Sequence, residues 1–597
     1  SVFNSDAVKN VNFYKSSFPA RYGGHLSSIM DIRLKEGNLQ EYHGSFSIGL
    51  LSSKFNIEGP MERNRSSFNI TARRTYLDLI GAPIYAAINN TNDNKEKIGY
   101  NFTDINIKLT RVFSRRNTLS FILFYGNDYL KYKKDEKDSY FEPDRKRDYM
   151  RGTWGNWGVG LRWDKMISTG LYANTVLSYN QYRAFMNKRY RHENSSGDTI
   201  RLKKIRFKSG QEEWRLKSDL TWVMNHWNRL YFGGHYIYHV FTPEKRITLH
   251  KVMEEETPSR KRVNYKEYAH EVALYMEDEM TIKEKWIVHP GIRGILFHVG
   301  STNYFSLEPR FSMQYNWTDR WETKASYTLM SQYIHQLGSS TMNMPTDLWV
   351  PVSDDVKPMK SHQCVLGVYF HPCVRWHFSL EGFYKTQNHL LDDYNGVDIT
   401  PEYADWKENV HSGKGHSYGL EWMGQKTGGK TNGWINYTLS RAYRWFPDGS
   451  INQGQRFPAK YDSRHILNLV LLHKFSNFFD ISATWTFNNG FYTTQPLERY
   501  DTPTYLPGEK GEEKKDIIFH IEKRNNMKTP DYHRLDLGFN FHRRRKHGIS
   551  TWSINLYNAY CRLNTIELSP DYDSKYGDRG ERQYFSNDWL FPIIPSF

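Results

Sequence analysis

The sequence is poor in the features that define most protein classes. Three cysteines in 597 residues cannot staple a chain of this size. The longest apolar run, residues 79–88, is about ten residues long and contains Gly81 and Pro83, whereas a membrane-spanning helix needs about 18 or more. With 38% apolar residues and a mean hydropathy of −0.74, a helical membrane bundle is excluded. The chain opens Ser1-Val2-Phe3-Asn4, with no start Met and no secretory signal, so it reads as a mature or trimmed piece. No His-Glu-x-x-His is present. Residues 424–431 fit the phosphate-binding loop and residues 415–419 the nucleophile elbow, but both chemistries need a helix after the motif. Here Trp434-Ile435-Asn436-Tyr437 and Leu420-Glu421-Trp422 follow, which read as strands. Cys364 and Cys373 stand nine apart, which on one strand means opposite faces and about 30 Å, too far for a disulfide or a shared zinc. No metal site, no cofactor and no enzymatic activity are expected.

Aromatic residues and positive charge are abundant. Aromatics reach 16%, with 42 Tyr, 34 Phe and 18 Trp, which excludes disorder. Lys and Arg outnumber Asp and Glu by 81 to 65. That excess suits solvated loops or phosphate-rich partners such as lipid headgroups. The basic run His542-Arg543-Arg544-Arg545-Lys546-His547 reads as a solvated turn against lipid phosphates, since no nucleic-acid-binding motif accompanies it.

The dominant pattern is period-2 alternation. Phe305, Leu307, Phe311, Met313 and Tyr315 share one phase with Pro309, while Ser306, Glu308, Arg310, Ser312 and Gln314 share the other. Ile105, Ile107 and Leu109 alternate with Asn106, Lys108 and Thr110, and Leu216, Leu220, Trp222 and Met224 with Lys217, Asp219 and Thr221. Side chains of a strand point alternately to opposite faces, so each segment has one greasy and one hydrated face. A soluble sandwich alternates too, and the connections decide between the two. They run short, then long. Residues 114–117, 165–170, 225–228, 319–320 and 475–477 are short; 126–152, 187–210, 242–265, 335–361 and 489–531 are long. Residues 300–303 are the one exception. Tight turns at one end and long loops at the other mark a transmembrane antiparallel β-barrel. The expected fold is therefore all-β with about 22 strands, the first near residues 42–49, 54–59 and 67–76 and the last near 589–597, around a lumen wide enough to need a plug. Trp154, Trp157, Trp163, Trp317 and Trp321 suit interfacial girdles.

Particular motifs carry a resemblance. Phe3-Asn4-Ser5-Asp6-Ala7-Val8, Phe18-Pro19-Ala20-Arg21-Tyr22-Gly23-Gly24 and Ser27-Ser28-Ile29-Met30-Asp31-Ile32-Arg33 resemble the end of a plug domain. Arg73-Arg74-Thr75-Tyr76, Met330-Ser331-Gln332-Tyr333-Ile334-His335 and Pro345-Thr346-Asp347-Leu348-Trp349-Val350-Pro351 follow in order. Gly415 to Glu421, Asn436 to Arg441, Tyr461 to His465, Tyr532 to Asp536 and Tyr557 to Tyr560 complete the series. Together they resemble the TonB-dependent outer-membrane receptors of Bacteroidota type. The resemblance implies residues 1–40 as the C-terminal end of a plug and residues 41–597 as the barrel. It implies active import of a bulky nutrient ligand across the bacterial outer membrane, bound by extracellular loops and plug. Energy would come from the TonB–ExbB–ExbD system through the region before Ser1, and Phe597 would lie short of the usual terminus. Outer-membrane lipid, and a surface lipoprotein or larger outer-membrane complex, are the other implied partners. The alternative is a non-transporting barrel serving as scaffold or docking subunit of such a complex.

Two sets of residues follow. In the plug motif Arg21-Tyr22-Gly23-Gly24, the glycines allow a sharp turn or close approach to the wall, and Arg21 is expected to pair with wall carboxylates until the plug is pulled. Glu308, Arg310, Lys324, Asp480, Arg534 and Asp536 fall on the polar phase of their strands. Facing lipid would cost about 2–4 kcal/mol for Arg or Lys at mid-membrane, so all six are expected to face the lumen. No ligand-binding residue can be named from the sequence.

Overall fold

The computed structural model describes residues 4–15, 18–91, 95–137, 145–194, 196–242, 244–251, 260–264, 266–337, 348–393, 406–503, 515–573, 582–589 and 592–597. Phe3 and Pro345-Thr346-Asp347 of the motifs above lie outside them. Among the described residues, 25 strands close into one antiparallel barrel. Glu244–Lys251 continues the strand Asn228–Phe241, Arg260–Asn264 leads into Glu267–Ile282, and Phe457–Pro458 extends the pairing above His465–Lys474. Setting those three aside leaves 22 staves.

The ring starts at His43–Ile48 and ends at Ile594–Ser596, which pairs with Gly548–Tyr557. At the seam the Leu50 N–H donates to the Phe597 carbonyl at 3.2 Å. The final stave is thus shorter than residues 589–597. Trp589 belongs instead to Arg582–Trp589, which pairs with Thr565–Asp573 apart from the barrel.

The long-loop end departs from expectation. Residues 126–152 read as a charged loop, yet in the described part of that stretch Asn117–Lys137 pairs with Arg145–Ser168, from Asn117↔Lys165 to Lys137↔Arg145. Residues 187–210 are likewise carried by Leu171–Glu193 and Thr199–Val223. A bilayer requires only about 9–11 residues of a strand. Above it water tolerates charged side chains on both faces, so backbone pairing continues where the greasy phase stops. The apolar run near residue 80 forms the helix Leu77–Thr91, with Pro83 inside it; period-2 reading has no register for such a segment. Val299 and Thr302 do close a tight turn.

The outer face is oily. Leu274, Phe305, Leu307, Phe311, Leu366 and Leu420 are each open on it. Trp163, Trp222, Trp286, Trp317, Trp321 and Trp376 are open beside the short turns, a belt at one interface. The inner phase is polar in the lower wall: Asn106, Lys108 and Thr110 are buried, as are Glu308 and Arg310. Residues 415–419 lie inside the strand Val410–Lys426, and Gly428 and Gly429 form the turn after it with φ of 83° and 86°.

Two elements lie inside the barrel. The first comprises residues 4–15 and 18–34. Asn4 caps the turn Ser5–Ala7, and Val8–Tyr14 then pairs antiparallel with Ile29–Leu34. The second is the hairpin Ile334–Leu337 with Leu348–Pro351. Its Leu337, Leu348 and Val350 pack with Met186, Phe207 and Trp406. Val352 and Tyr333 beside it pack with Phe241, Ile295 and Phe297 of the wall.

Candidate functional site

The junction between residues 18–26 and the wall is a network of buried polar contacts. It is built on three neighbouring staves. Glu267–Ile282 alternates strictly, placing Ala269, Glu271, Ala273, Tyr275 and Glu277 inward. Trp286–Val299 places Arg293, Ile295 and Phe297 inward, and Thr302–Asn316 places Ser306, Glu308 and Arg310 inward. Register sets Arg293 directly opposite Glu308.

The segment turns at Pro19, where the Tyr22 N–H donates to the Pro19 carbonyl at 3.0 Å. The tip, Ala20, is fully buried. Its N–H donates to Glu277 Oε2 at 2.5 Å, and its carbonyl accepts from Arg293 Nη1 at 3.3 Å. Arg310 Nη1 donates to the Pro19 carbonyl at 2.8 Å, and its guanidinium lies 4.8 Å from the centre of the Phe18 ring. Arg310 Nη2 in turn bonds Glu308 Oε2 at 2.9 Å, while Glu308 Oε1 accepts the Ser331 N–H at 2.7 Å. The turn is thus gripped by two wall arginines, one of them fixed by a buried carboxylate.

Glycine is required here. A Cβ on Gly23 would lie 2.4 Å from Arg293 Nε, and Gly24 has φ of +81°. Behind Arg293, Glu271 lies between His235 at 2.9 Å and His239 at 3.6 Å, and His239 is 3.4 Å from Glu213. Farther along, Lys15 Nζ meets Glu421 at 2.8 Å and Glu381 at 3.4 Å. Lys108 Nζ donates to the Leu34 carbonyl at 3.2 Å, and Lys385 Nζ donates to that of Leu26.

Arg21 feels the wall carboxylate Asp219 electrostatically but does not close on it. It forms no ion pair with a wall carboxylate among the described residues; its guanidinium lies 5.2 Å from the Tyr22 ring centre. At the turn the wall cations Arg293 and Arg310 meet backbone carbonyls of the segment. A carbonyl acceptor needs no particular side chain, so sequence letters do not mark it. Burial pushes the Tyr22 hydroxyl up to about 12 and holds His25 below the usual imidazole range.

Of the six charges expected from strand phase, Arg310 meets the segment directly and Glu308 holds Arg310 in place. Lys324 Nζ pairs with Glu322 at 2.9 Å and lies 4.4 Å from the Tyr369 ring centre. Asp480 accepts from Asn540 at 2.7 Å and sits 2.6 Å from His542. Arg534 donates to Asp536 at 3.0 Å and to Tyr557 at 2.8 Å. These four lie away from the junction. Glu271, Glu277, Arg293, His235 and His239 were not singled out. The signal was available for Glu271 and Glu277, which share the phase of Ala269 and Ala273.

A sequence profile described as TonB dependent receptor-like, beta-barrel, matches residues 56–559. No curated protein matches the sequence. Among solved structures, the chain resembles the ferripyoverdine receptor of the outer membrane of Pseudomonas aeruginosa, bound to ferripyoverdine (TM-score 0.61, 11% identity, 92% of this chain and 71% of that one). It also resembles the ferric yersiniabactin uptake receptor FyuA from Yersinia pestis (0.63, 12%, 96% and 81%). The copper transporter OprC is a third (0.62, 9%, 98% and 84%). At these identities the likeness is one of fold.

Proposed function

The chain belongs to the TonB-dependent receptor-like β-barrel family, and from that premise we propose that it imports a bulky nutrient ligand by active, TonB-dependent release of its lumenal segment. Its family places it in the bacterial outer membrane, as an import receptor and not an enzyme. Residues 1–40 act as the end of the plug and residues 41–597 as the barrel. Ligand binds the long-loop end together with the plug. TonB, driven by ExbB and ExbD, pulls on chain N-terminal to the described segment.

The observation that carries this reading is the way residues 18–26 are seated on the wall. Residues 18–26 meet the wall through hydrogen bonds to carbonyls, N–H groups and carboxylates. Water can replace such bonds one by one, since each is worth only about 0.5–1.5 kcal/mol net. A segment so held yields to a pull at the cost of one small apolar cluster, Phe18 and Leu26 against Met330 and Met359.

The test is uptake by the intact organism. A deletion strain is grown across single iron, cobalamin, glycan and peptide sources. One source is expected to fail, and its uptake in the parent is expected to stop with a protonophore or with loss of TonB. Uptake that survives both treatments overturns the reading. A strain that grows on every source but loses a co-extracted surface protein would point to the scaffold role.

A further inference from the structure

A second polar feature lies below the junction, between residues 21–33 and the wall near the short turns. It is a cavity of about 510 Å³, bridged on one side by Lys217 over the Tyr22 ring at 5.4 Å. Its lining has eight cationic side chains and three carboxylates. The carboxylates are all engaged locally: Asp31 lies 3.8 Å from Arg33, Asp164 is 2.9 Å from Arg162 and Asp219 is 3.1 Å from Lys217. Arg215 pairs with Glu213 at 3.2 Å. That leaves Arg21, Arg115, Arg116 and Lys165 with no carboxylate within ion-pair distance among the described residues. Two guanidinium N–H groups at this cavity, Nε of Arg21 and Nε of Arg215, are buried without an acceptor.

Like charges gathered around a half-open cleft repel one another, and the low-dielectric wall strengthens the effect. Unmatched guanidinium groups take planar oxyanions bidentately. The volume suits a small molecule rather than one ion. Arg115 and Arg116 form the tight turn between Lys95–Ser114 and Asn117–Lys137, and short turns face the periplasm.

We propose that this cavity is a periplasm-facing binding site for a small polyanion carrying two or more carboxylate or phosphate groups. It rests on the import reading in one respect, that such an anion is the cargo leaving the lumen. An anion arriving here exchanges the plug for four waiting cations, and salt in the periplasm then weakens its hold.

Calorimetric titration of the full-length protein in detergent tests it, with pyrophosphate as one probe and citrate as the other. At least one is expected to bind at a single site. Arg115 and Arg116 are exposed turn residues, so R115A/R116A leaves the barrel intact. It is expected to weaken binding about tenfold or more. R543A/R544A, in a basic turn outside the cavity, is expected to leave it unchanged. Binding of pyrophosphate alone assigns a phosphate ligand, and of citrate alone a carboxylate. Failure of both probes, or equal losses in the two double variants, overturns the proposal. Binding is read without transport. Energy-independent uptake with intact binding would sink the import reading alone, and TonB-dependent uptake without binding would sink this site alone.

Discussion

Two elements occupy the lumen, and they are held by different mixtures of contact. Residues 18–26 lie against Arg293, Arg310, Glu277 and Lys385 through donors and acceptors, with only Phe18 and Leu26 packed on Met330 and Met359. The hairpin of Ile334–Leu337 with Leu348–Pro351 lies against Phe207, Met186 and Trp406, with Phe241, Ile295 and Phe297 adjoining, mainly through carbon. Burying apolar surface stabilises by about 25 cal/mol per Å², and nothing in water replaces it during release. Polar contacts cost little net when exchanged for water. The contrast teaches which element is fitted to leave: the first can depart under a steady pull, and the second stays with the wall.

The sharpest way to break this contrast is Arg310→Met. It removes the bond to Pro19 and strands Glu308, which is fully buried. Leaving one partner of a buried pair alone costs about 3–5 kcal/mol. Residues 18–26 should become accessible to a lumenal cysteine label at low urea, with the hairpin unmoved. Adding Glu308→Gln should recover part of the loss.

The hairpin responds to acid instead. Both ring nitrogens of His335 are buried without partners, and burial lowers its pKa to about 4. Above pH 6.5 the docked and undocked imidazoles are both neutral, so the stability is fully present. Between pH 6.5 and 4 only the undocked form takes a proton, so docking weakens as pH falls. The full loss is about 3 kcal/mol. Hydrogen exchange of residues 334–351 should accelerate across that window, and His335→Leu should abolish the dependence; an unchanged pH profile in that variant would refute the account.

Gly23→Ala forces a Cβ onto Arg293, itself fully buried. Crowding of this kind costs about 1–3 kcal/mol. Urea midpoints for release of residues 18–26 should drop accordingly, less than for Arg310→Met. Lys15→Met should do least. Lys15 is 42% exposed where it meets Glu381 and Glu421, and such pairs contribute about 0–1 kcal/mol. A loss as large as that of Arg310→Met would show that the grip is spread along the segment and not concentrated at its turn.

The sequence displays the barrel well because one physical rule operates at every stave. Phe305, Leu307 and Phe311 are open and Ser306, Glu308 and Arg310 buried, an alternation legible without any structure. Partners are another matter. Ala20 and Arg293 are separated by 273 residues, and no local pattern encodes that meeting. The hairpin is harder still. Leu348, Val350 and Val352 alternate as a lipid-facing strand does, yet they pack inside. The long-loop end misled for a third reason: charge signals water, and water is compatible with either a loop or a paired strand.

The uneven height of the wall has a consequence of its own. Arg145–Ser168 has 24 residues and Thr199–Val223 has 25, against 14 in Trp286–Val299. At about 3.3 Å per residue, one quadrant overtops the other by about 30 Å along the strand direction. Large bodies arriving at the cell surface will strike this parapet before they reach the mouth, so its crest, more than the opening it shelters, governs what can land.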